Sequence, residues 1–467
     1  MELVFIAPEI TPYSRSGEIG DVCAALPKAL RSGGHKVTVI SPLWSGIDAN
    51  ARGLARRLSG VEAIVGGQRH ACTLHDGRTT GGVELVFVGH PDAFAIGADG
   101  GDEHARLRAA LVFVQAAAQA AASREATPDL LHAHGWFAAG ALAIAKTAVP
   151  GAARVLSLHD PRQQGRVPGS DGTLEPAGQL AEALAASADR SLLRAGIEAA
   201  QRVVASSESE AHELIGGAHG LGDAFAETGK LIAIANGLDA ARWNPLTDPL
   251  LPARFDPVDL RGKARCKDQL QLEVGLPIAP DLPLCACVGS LTAETGGALL
   301  AQALPTLLQN ELQLVIAGGD AALREAAAQL ATKYEERLRV VAADERSAHR
   351  AIAGADLVLV PGRDAAIADL HLCAQRYGAL PVVRKVGAMA DAVVDCDAQL
   401  MTGTGFVFER DDAAELVATV QRALAAFARR KPFDTLRRRT MKLDVSWERS
   451  ARRYEHVYRT IKRGDAT

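Results

Sequence analysis

Four stretches of the sequence carry residues that could do chemistry. Residues 8–30, PEITPYSRSGEIGDVCAALPKAL, set Arg15 and Gly17 in a glycine-containing turn that leads into an amphipathic helix. Such a turn can turn backbone N–H groups and the positive end of a helix dipole toward a phosphate, with Arg15 adding charge. Glu18 inside the same turn would repel a phosphate, and an ordinary helix start explains the stretch equally well. HAHGWF, residues 132–137, puts two histidines at i and i+2 on one face of a strand, with no third metal ligand evident. SLHDPRQQG, residues 157–165, puts His159 at a strand end, where it could hydrogen-bond a sugar hydroxyl or simply be packed. PGRDAAIADLHL, residues 361–372, follows the apolar run ADLVLV. In an α/β protein the loop after such a strand is where ligands are handled. Yet its middle is Ala365, Ala366, Ile367 and Ala368.

The elements that must position these residues alternate. Strand-like runs in the first half are 3–7, 35–41, 83–89, 129–134, 153–159, 202–207 and 231–236, with helical runs at 20–32, 105–123 and 178–200. The second half has strand-like runs at 283–290, 312–319, 338–343, 355–362, 380–385 and 405–409, separated by helices rich in Ala and Leu. Alternation of this kind predicts parallel sheets covered by helices on both faces. The proline-rich stretch NGLDAARWNPLTDPLLPARFDP, starting at Asn236, breaks the rhythm and reads as an interdomain linker. The expected organisation is a Rossmann-like domain over 1–240, a linker over 241–258, a second Rossmann-like domain over 259–440 and a C-terminal helix over 441–467. Two doubly wound domains would flank a cleft lined by the loops that leave the strand C-termini.

Length and composition narrow the function classes. At 467 residues the chain is too long for one ordinary core. It is 48% hydrophobic, 23% charged and only 4% aromatic, which predicts a core of Ala, Leu and Val. The net charge of −4 argues against a nucleic-acid partner. The basic run RRKPFDTLRRR, residues 429–439, reads as a solvated helix face. No stretch is apolar enough over about 18 residues to span a membrane, so no membrane partner is expected. The start, MELVFIAPEI, reads as a first strand rather than a signal peptide. Seven scattered cysteines suit reduced, buried thiols in the cytoplasm. No metal and no cofactor is expected.

The stretches also carry a resemblance. PEITPYSRSGEIGDVCAALPKAL resembles the N-terminal donor loop of bacterial glycogen synthases and plant starch synthases. HAHGWFAAGAL, SLHDPRQQG, NGLDAARWNPLTDP, VGSLTAETGG, PGRDAAIADLHLCAQRYGALPVVRKVGAMADAV, TGFVFE and MKLDVSWERSARRYEHVYRTIK look like further blocks of that family in the family's order. The resemblance implies the GT-B fold, two Rossmann-like domains with a C-terminal helix returning to the first. It also implies transfer of glucose from ADP-glucose to the non-reducing end of an α-1,4-glucan, with retention. Carried over by position, it leaves His159 as the residual catalytic residue and assigns substrate binding to Arg15, Gly17, Asp21, Asn236, Tyr377 and Gly387.

The same comparison exposes departures. The family's arginine and lysine in a block resembling VSRLTSQKG become Ser290 and Thr295 in VGSLTAETG, and the carboxylate of a block like SRFEPCGL becomes Ala365. KTGGL becomes Arg15-Ser16-Gly17-Glu18-Ile19, HAHDWH becomes HAHGWF, and TGGL becomes Val386-Gly387-Ala388-Met389. A departing diphosphate needs cations aimed at it, and the sugar carbon needs a tending group. The expectation is a glycogen-synthase-like protein that is catalytically silent or strongly impaired. It would bind ADP-glucose or a related nucleotide weakly, take α-glucan, or associate with an active synthase. Two alternatives stand beside it: an active glucosyltransferase with a rearranged site, in which Arg162, Arg363 or Arg384 reaches the phosphates and Asp364 or Asp369 the sugar, and a non-enzymatic regulator of glucan metabolism.

Overall fold

The computed structural model describes residues 1–98, 100–169, 172–226, 228–293, 295–362 and 369–464. The chain forms two compact units, Met1–Asn236 with Trp447–Thr467, and Gly237–Ser446.

The first unit holds strands β1 (Glu2–Ile6), β2 (Lys36–Pro42), β3 (Ala55–Arg56), β4 (Val61–Val65), β5 (Gln68–Arg78), β6 (Glu84–Gly89), β7 (Leu130–His134), β8 (Ala153–Ser157), β9 (Arg202–Ala205) and β10 (Leu231–Ala233). Their order in the sheet is β10-β9-β8-β7-β1-β2-β6-β5-β3, with β4 paired to β5. From β10 to β6 every pairing is parallel, and the central strands are buried end to end, as the unbroken apolar runs require. β3, β4 and β5 are antiparallel additions that the strand reading did not include. The free edge of β4 is closed by side chains of the helix Glu103–Ala122. Gln115 exchanges hydrogen bonds with both backbone groups of Ile64 at 3.1 Å, and Gln119 does the same with Glu62. Two glutamines one helical turn apart thus stand in for a neighbouring strand. The helical run expected over 178–200 is two helices, Gln179–Ala186 and Leu192–Ala199, the second capped by the Ser191 hydroxyl.

The second unit holds β11 (Leu284–Gly289), β12 (Gln313–Gly318), β13 (Leu338–Val341), β14 (Leu357–Val360), β15 (Leu380–Arg384) and β16 (Phe406–Phe408). All pairings are parallel, in the order β13-β12-β11-β14-β15-β16, the Rossmann arrangement. The stretch read as a linker is packed into this unit. Leu238, Trp243 and Phe255 lie in its core, Trp243 stacks on His349 at 3.8 Å, and Asp248 accepts from His349 at 2.7 Å. Nor is the basic run a solvated face. Arg430 pairs with Asp281, Arg437 with Asp356, Arg438 donates to the carbonyls of Pro257 and Val258, and Arg439 to those of Met401 and Gly403. The run staples loops of its own unit, while Arg429, Arg430 and Lys431 stay exposed.

Beneath the N-terminal edge of β11 and β14 lies a buried ionic cluster. Asp356 accepts from Lys267 at 2.8 Å, from Arg437 at 2.7 Å and from the Leu284 N–H at 3.1 Å. Lys263, one turn before Lys267, is also buried, and donates to the Ala353 carbonyl at 2.9 Å. Asp356 thus bonds two basic groups with Lys263 near them, and Arg437 also pairs with Asp434 at 3.0 Å. Burial, then the Arg437 charge, pushes the Lys263 ammonium down to about 7. A lysine held below its unfolded value destabilises the fold fully below pH 7, and the cost fades as pH rises toward about 10.4. Lys263→Met is expected to raise the melting temperature at pH 7 and to flatten its rise between pH 7 and 10, as read by thermal unfolding across that range.

Candidate functional site

In the first unit the strand order changes direction between β1 and β7, so the loops leaving these strands lie side by side. The loop after β1 is organised by a residue the sequence reading passed over. Glu9, 3% exposed, accepts from the Ser16 N–H at 2.6 Å, the Ser16 hydroxyl at 2.9 Å and the Gly20 N–H at 3.2 Å. A carboxylate of the chain itself therefore takes up N–H groups at the start of the helix Glu18–Ser32, where a phosphate was expected to sit. Nothing in the loop's periodicity marks Glu9. Gly17 precedes the helix with no side-chain cap and open space beside its Cα. Arg15 pairs with Asp21 at 3.0 Å, and Asp21 also accepts from the Thr11 hydroxyl at 2.9 Å. Asn236, half-buried, ends the unit.

His159 follows β8, with its side chain only 5% exposed. Its Nδ1 lies 3.3 Å from the Glu18 carboxylate and its Nε2 3.1 Å from Nδ1 of His134. His132 and His134 share a face of β7 as their spacing predicts, ring centroids 4.2 Å apart. His132 is used on both nitrogens, by the Tyr458 hydroxyl at 2.7 Å and the Ser157 hydroxyl at 2.8 Å. Burial pushes His132 down to about 3 and holds His134 well below the usual histidine range, so both rings are neutral. Tyr458 lies on the helix Trp447–Arg463, which this network ties to the sheet.

In the second unit the order reverses between β11 and β14, and the two loops singled out in the sequence leave those strands. Ser290 is exposed directly after β11. Thr295 is folded back on its own turn: its hydroxyl accepts from the Thr292 N–H at 2.8 Å, and its N–H donates to the Thr292 carbonyl at 3.1 Å. The loops meet backbone to backbone, since a Cβ on Gly296 would lie 2.5 Å from the Gly362 nitrogen and one on Gly362 2.2 Å from the Thr295 carbonyl carbon. Thr295 therefore stands at the entrance to the segment after β14. Ala365, with Arg363 and Asp364, lies outside the described residues. A cavity of about 220 Å³ beside these loops is lined by Ala293, Gly296, Gln302, Gly362, Arg384 and Asp411. Arg384 pairs with Asp411 there at 2.9 Å, and Arg162 in the first unit pairs with Asp160 at 2.7 Å. Asp369 begins the helix Leu370–Arg376.

Tyr377 has no exposure. Its hydroxyl donates to Asp248 at 2.6 Å, which makes it a clamp on the proline-rich stretch rather than part of a binding surface. Gly387, buried at φ +52, begins the short helix Gly387–Ala392. Among the described residues no group of three or more His, Cys, Asp or Glu could hold a metal ion.

Two Rossmann-like units, each with its chemistry-bearing loops at a switch point, define a GT-B glycosyltransferase fold. Residues 2–227 match the starch synthase catalytic domain family, and residues 283–426 match glycosyl transferases group 1. A glycogen synthase of Anaeromyxobacter dehalogenans is 36% identical across 99% of this chain and 100% of its own length. A glycogen synthase of Streptococcus pneumoniae is 33% identical across 99% and 100%. The catalytic domain of starch synthase IV from Arabidopsis thaliana, solved bound to ADP and acarbose, superposes with a TM-score of 0.89 at 26% identity, over 99% of both chains. The chain belongs to the glycogen synthase and starch synthase family.

Proposed function

We propose that this member of the family is catalytically silent or strongly impaired in glucose transfer, and that it acts by binding α-glucan, with weak affinity for ADP-glucose. The observation that carries this reading is the β11 loop. Where the resemblance puts an arginine and a lysine, it has an exposed serine and a threonine whose hydroxyl is spent on its own turn. A leaving diphosphate would meet two neutral groups there, and one missing donor of this kind costs roughly 10²–10³ in rate. Arg384 and Arg162 could in principle substitute, but each is held by a carboxylate. The alanine at 365 removes the group that would tend the sugar.

Several features support a retained ligand. His159, Arg15, Asp21 and Asn236 remain, and the starch synthase IV structure is bound to ADP and acarbose. The buried core is intact in both units, which supports a maintained fold able to hold a ligand. Association with an active synthase is the further role that such a protein would fill. Seven free, buried thiols suit a reducing cytoplasmic setting.

Calorimetric titration tests the reading. ADP-glucose is expected to bind at least about a hundredfold more weakly than to a relative carrying both cations, the scale set by two charge-assisted hydrogen bonds to phosphate that this chain does not make. Maltoheptaose is expected to bind measurably. Tight ADP-glucose binding would favour the rearranged enzyme, and binding of neither ligand would favour a regulator that works through protein contacts.

A further inference from the structure

At the opposite end of the second sheet from Ser290 lies a cavity of about 310 Å³. Leu282 and Pro283 line it just before β11, and Asn310 and Glu311 just before β12. β11 is six residues long, so about 20 Å of strand separates this cavity from Ser290. The remaining wall comes from the helix Ala413–Ala428 and from Arg430, which starts the next helix. The volume falls at the small end of the range that ligand sites occupy, about 300–1,000 Å³.

The polar groups around it are oriented. Asn310 gives its amide hydrogens to the carbonyls of Thr306 at 3.0 Å and Leu307 at 3.2 Å. Its oxygen therefore faces Gln421, whose amide nitrogen donates to it at 3.0 Å. That contact turns the carbonyl oxygen of the exposed Gln421 toward a donor from outside. Arg430 sits 3.9 Å above the centre of the Phe427 ring, and donates to the Asp281 carbonyl at 2.8 Å and its carboxylate at 3.2 Å. From the inner side Lys267 holds the carbonyls of Pro280 at 3.2 Å and Leu282 at 2.6 Å, which ties this wall to the buried ionic cluster.

The chemistry selects an uncharged, polyhydroxylated ligand. Exposed Asp281 and Glu311 repel an anion, and Arg430 repels a cation. Carboxylate, amide and guanidinium groups are planar, and each sets two hydrogen-bonding atoms side by side, as neighbouring hydroxyls on a sugar ring require. Leu282, Leu424 and Phe427 offer the apolar surface that the C–H face of such a ring covers.

We propose that this cavity is a glucan-anchoring site, which holds a glucose unit of an α-glucan chain at the end of the second sheet remote from the loops after β11 and β14 and needs no nucleotide. The inference rests on the reading that the protein binds α-glucan, and it is tested at the cavity itself.

The test is methyl NMR of leucine-labelled full-length protein, with Leu282→Ile and Leu424→Ile for assignment, beside calorimetric titration with maltoheptaose. Maltose and maltoheptaose are expected to move the Leu282 and Leu424 signals of the wild type. Gln421→Ala should weaken that response about three- to tenfold, the scale of one hydrogen bond. Ala428→Trp, at an exposed position on the cavity wall, should abolish it with the thermal melt unchanged. Maltoheptaose binding by calorimetry with both signals unmoved would overturn the site and leave the glucan reading standing. Signals that respond as strongly in Ala428→Trp as in the wild type would also overturn it. Neither heat nor signal change would overturn the site and the glucan reading together.

Discussion

Ala365→Glu alone is expected to give no detectable glucan extension from ADP-glucose, whereas Ser290→Arg, Thr295→Lys and Ala365→Glu together are expected to give transfer about 10²–10³-fold above the single variant. The reason lies in the order of need. A carboxylate near the sugar helps only if the diphosphate can leave, and the diphosphate leaves only toward positive charge. Ser290 is exposed, so an arginine fits there without repacking. Lysine at 295 costs the bonds between Thr292 and Thr295 but needs no space from the Gly296–Gly362 contact, which is backbone. Recovery will be partial, because Glu18 still holds His159 and Met389 stays in the short helix after β15. The three positions act as a unit, so single and pairwise changes should fall well short of additive. Efficient synthesis from Ala365→Glu alone, measured as radiolabelled glucose incorporated into maltoheptaose, would mean that Ser290 and Thr295 are not the deficit.

Asp356→Asn is expected to be the most destabilising single polar substitution in the second unit, by about 3–5 kcal/mol, which lowers the melting temperature by about 10 °C. Asp356 bonds both Lys267 and Arg437, and it also caps the β11 backbone at Leu284. Asparagine leaves the buried Lys267 without a carboxylate and Arg437 with only the half-exposed Asp434. Replacing the set together, Asp356→Leu with Lys267→Met and Arg437→Met, should recover most of the loss, because the cost is that of unpaired charge rather than of missing attraction. Burial raises the Asp356 carboxyl, but Arg437 and then Lys267 outweigh it and hold the group below the usual aspartate range. Its contribution is therefore complete above about pH 4 and is lost as pH falls through the depressed value. Urea unfolding at pH 7 and at pH 3 checks both statements: the difference between wild type and Asp356→Asn should shrink at the lower pH.

Much of the architecture was legible because its strands are buried on both faces. Each expected run, from LVFIA to GFVFE, coincides with a strand to within a few residues, since a continuous apolar segment bounded by Gly or polar residues has few other uses. What escaped was of a different kind. β5 carries Gln, Arg, His and Asp along its length and β4 is a five-residue run with Glu62 near its start, so neither alternation nor apolar length announced them. The helical run 178–200 concealed a break at 187–191 that only the Ser191 cap reveals. In the candidate site, residue types are legible in the sequence and pairing is not. The departures at Ser290, Thr295 and Ala365 are visible in the sequence alone. That Glu18 grips His159, that Glu9 fills the helix start and that Tyr377 is spent on Asp248 depends on contacts between residues 11 to 141 positions apart, which no local pattern encodes. The basic run at 429–439 shows the same limit: its charge is conspicuous in the sequence, and the carbonyls it satisfies are up to 181 residues away.

Glucose transfer by the purified wild-type protein, from ADP-glucose to maltoheptaose at saturating concentrations of both, tests most directly whether the loss of positive charge after β11 has silenced the reaction. The expected result is incorporation indistinguishable from that of a no-enzyme control, with maltoheptaose bound. Incorporation at a rate comparable to the 36% identical Anaeromyxobacter glycogen synthase, run side by side, would contradict it.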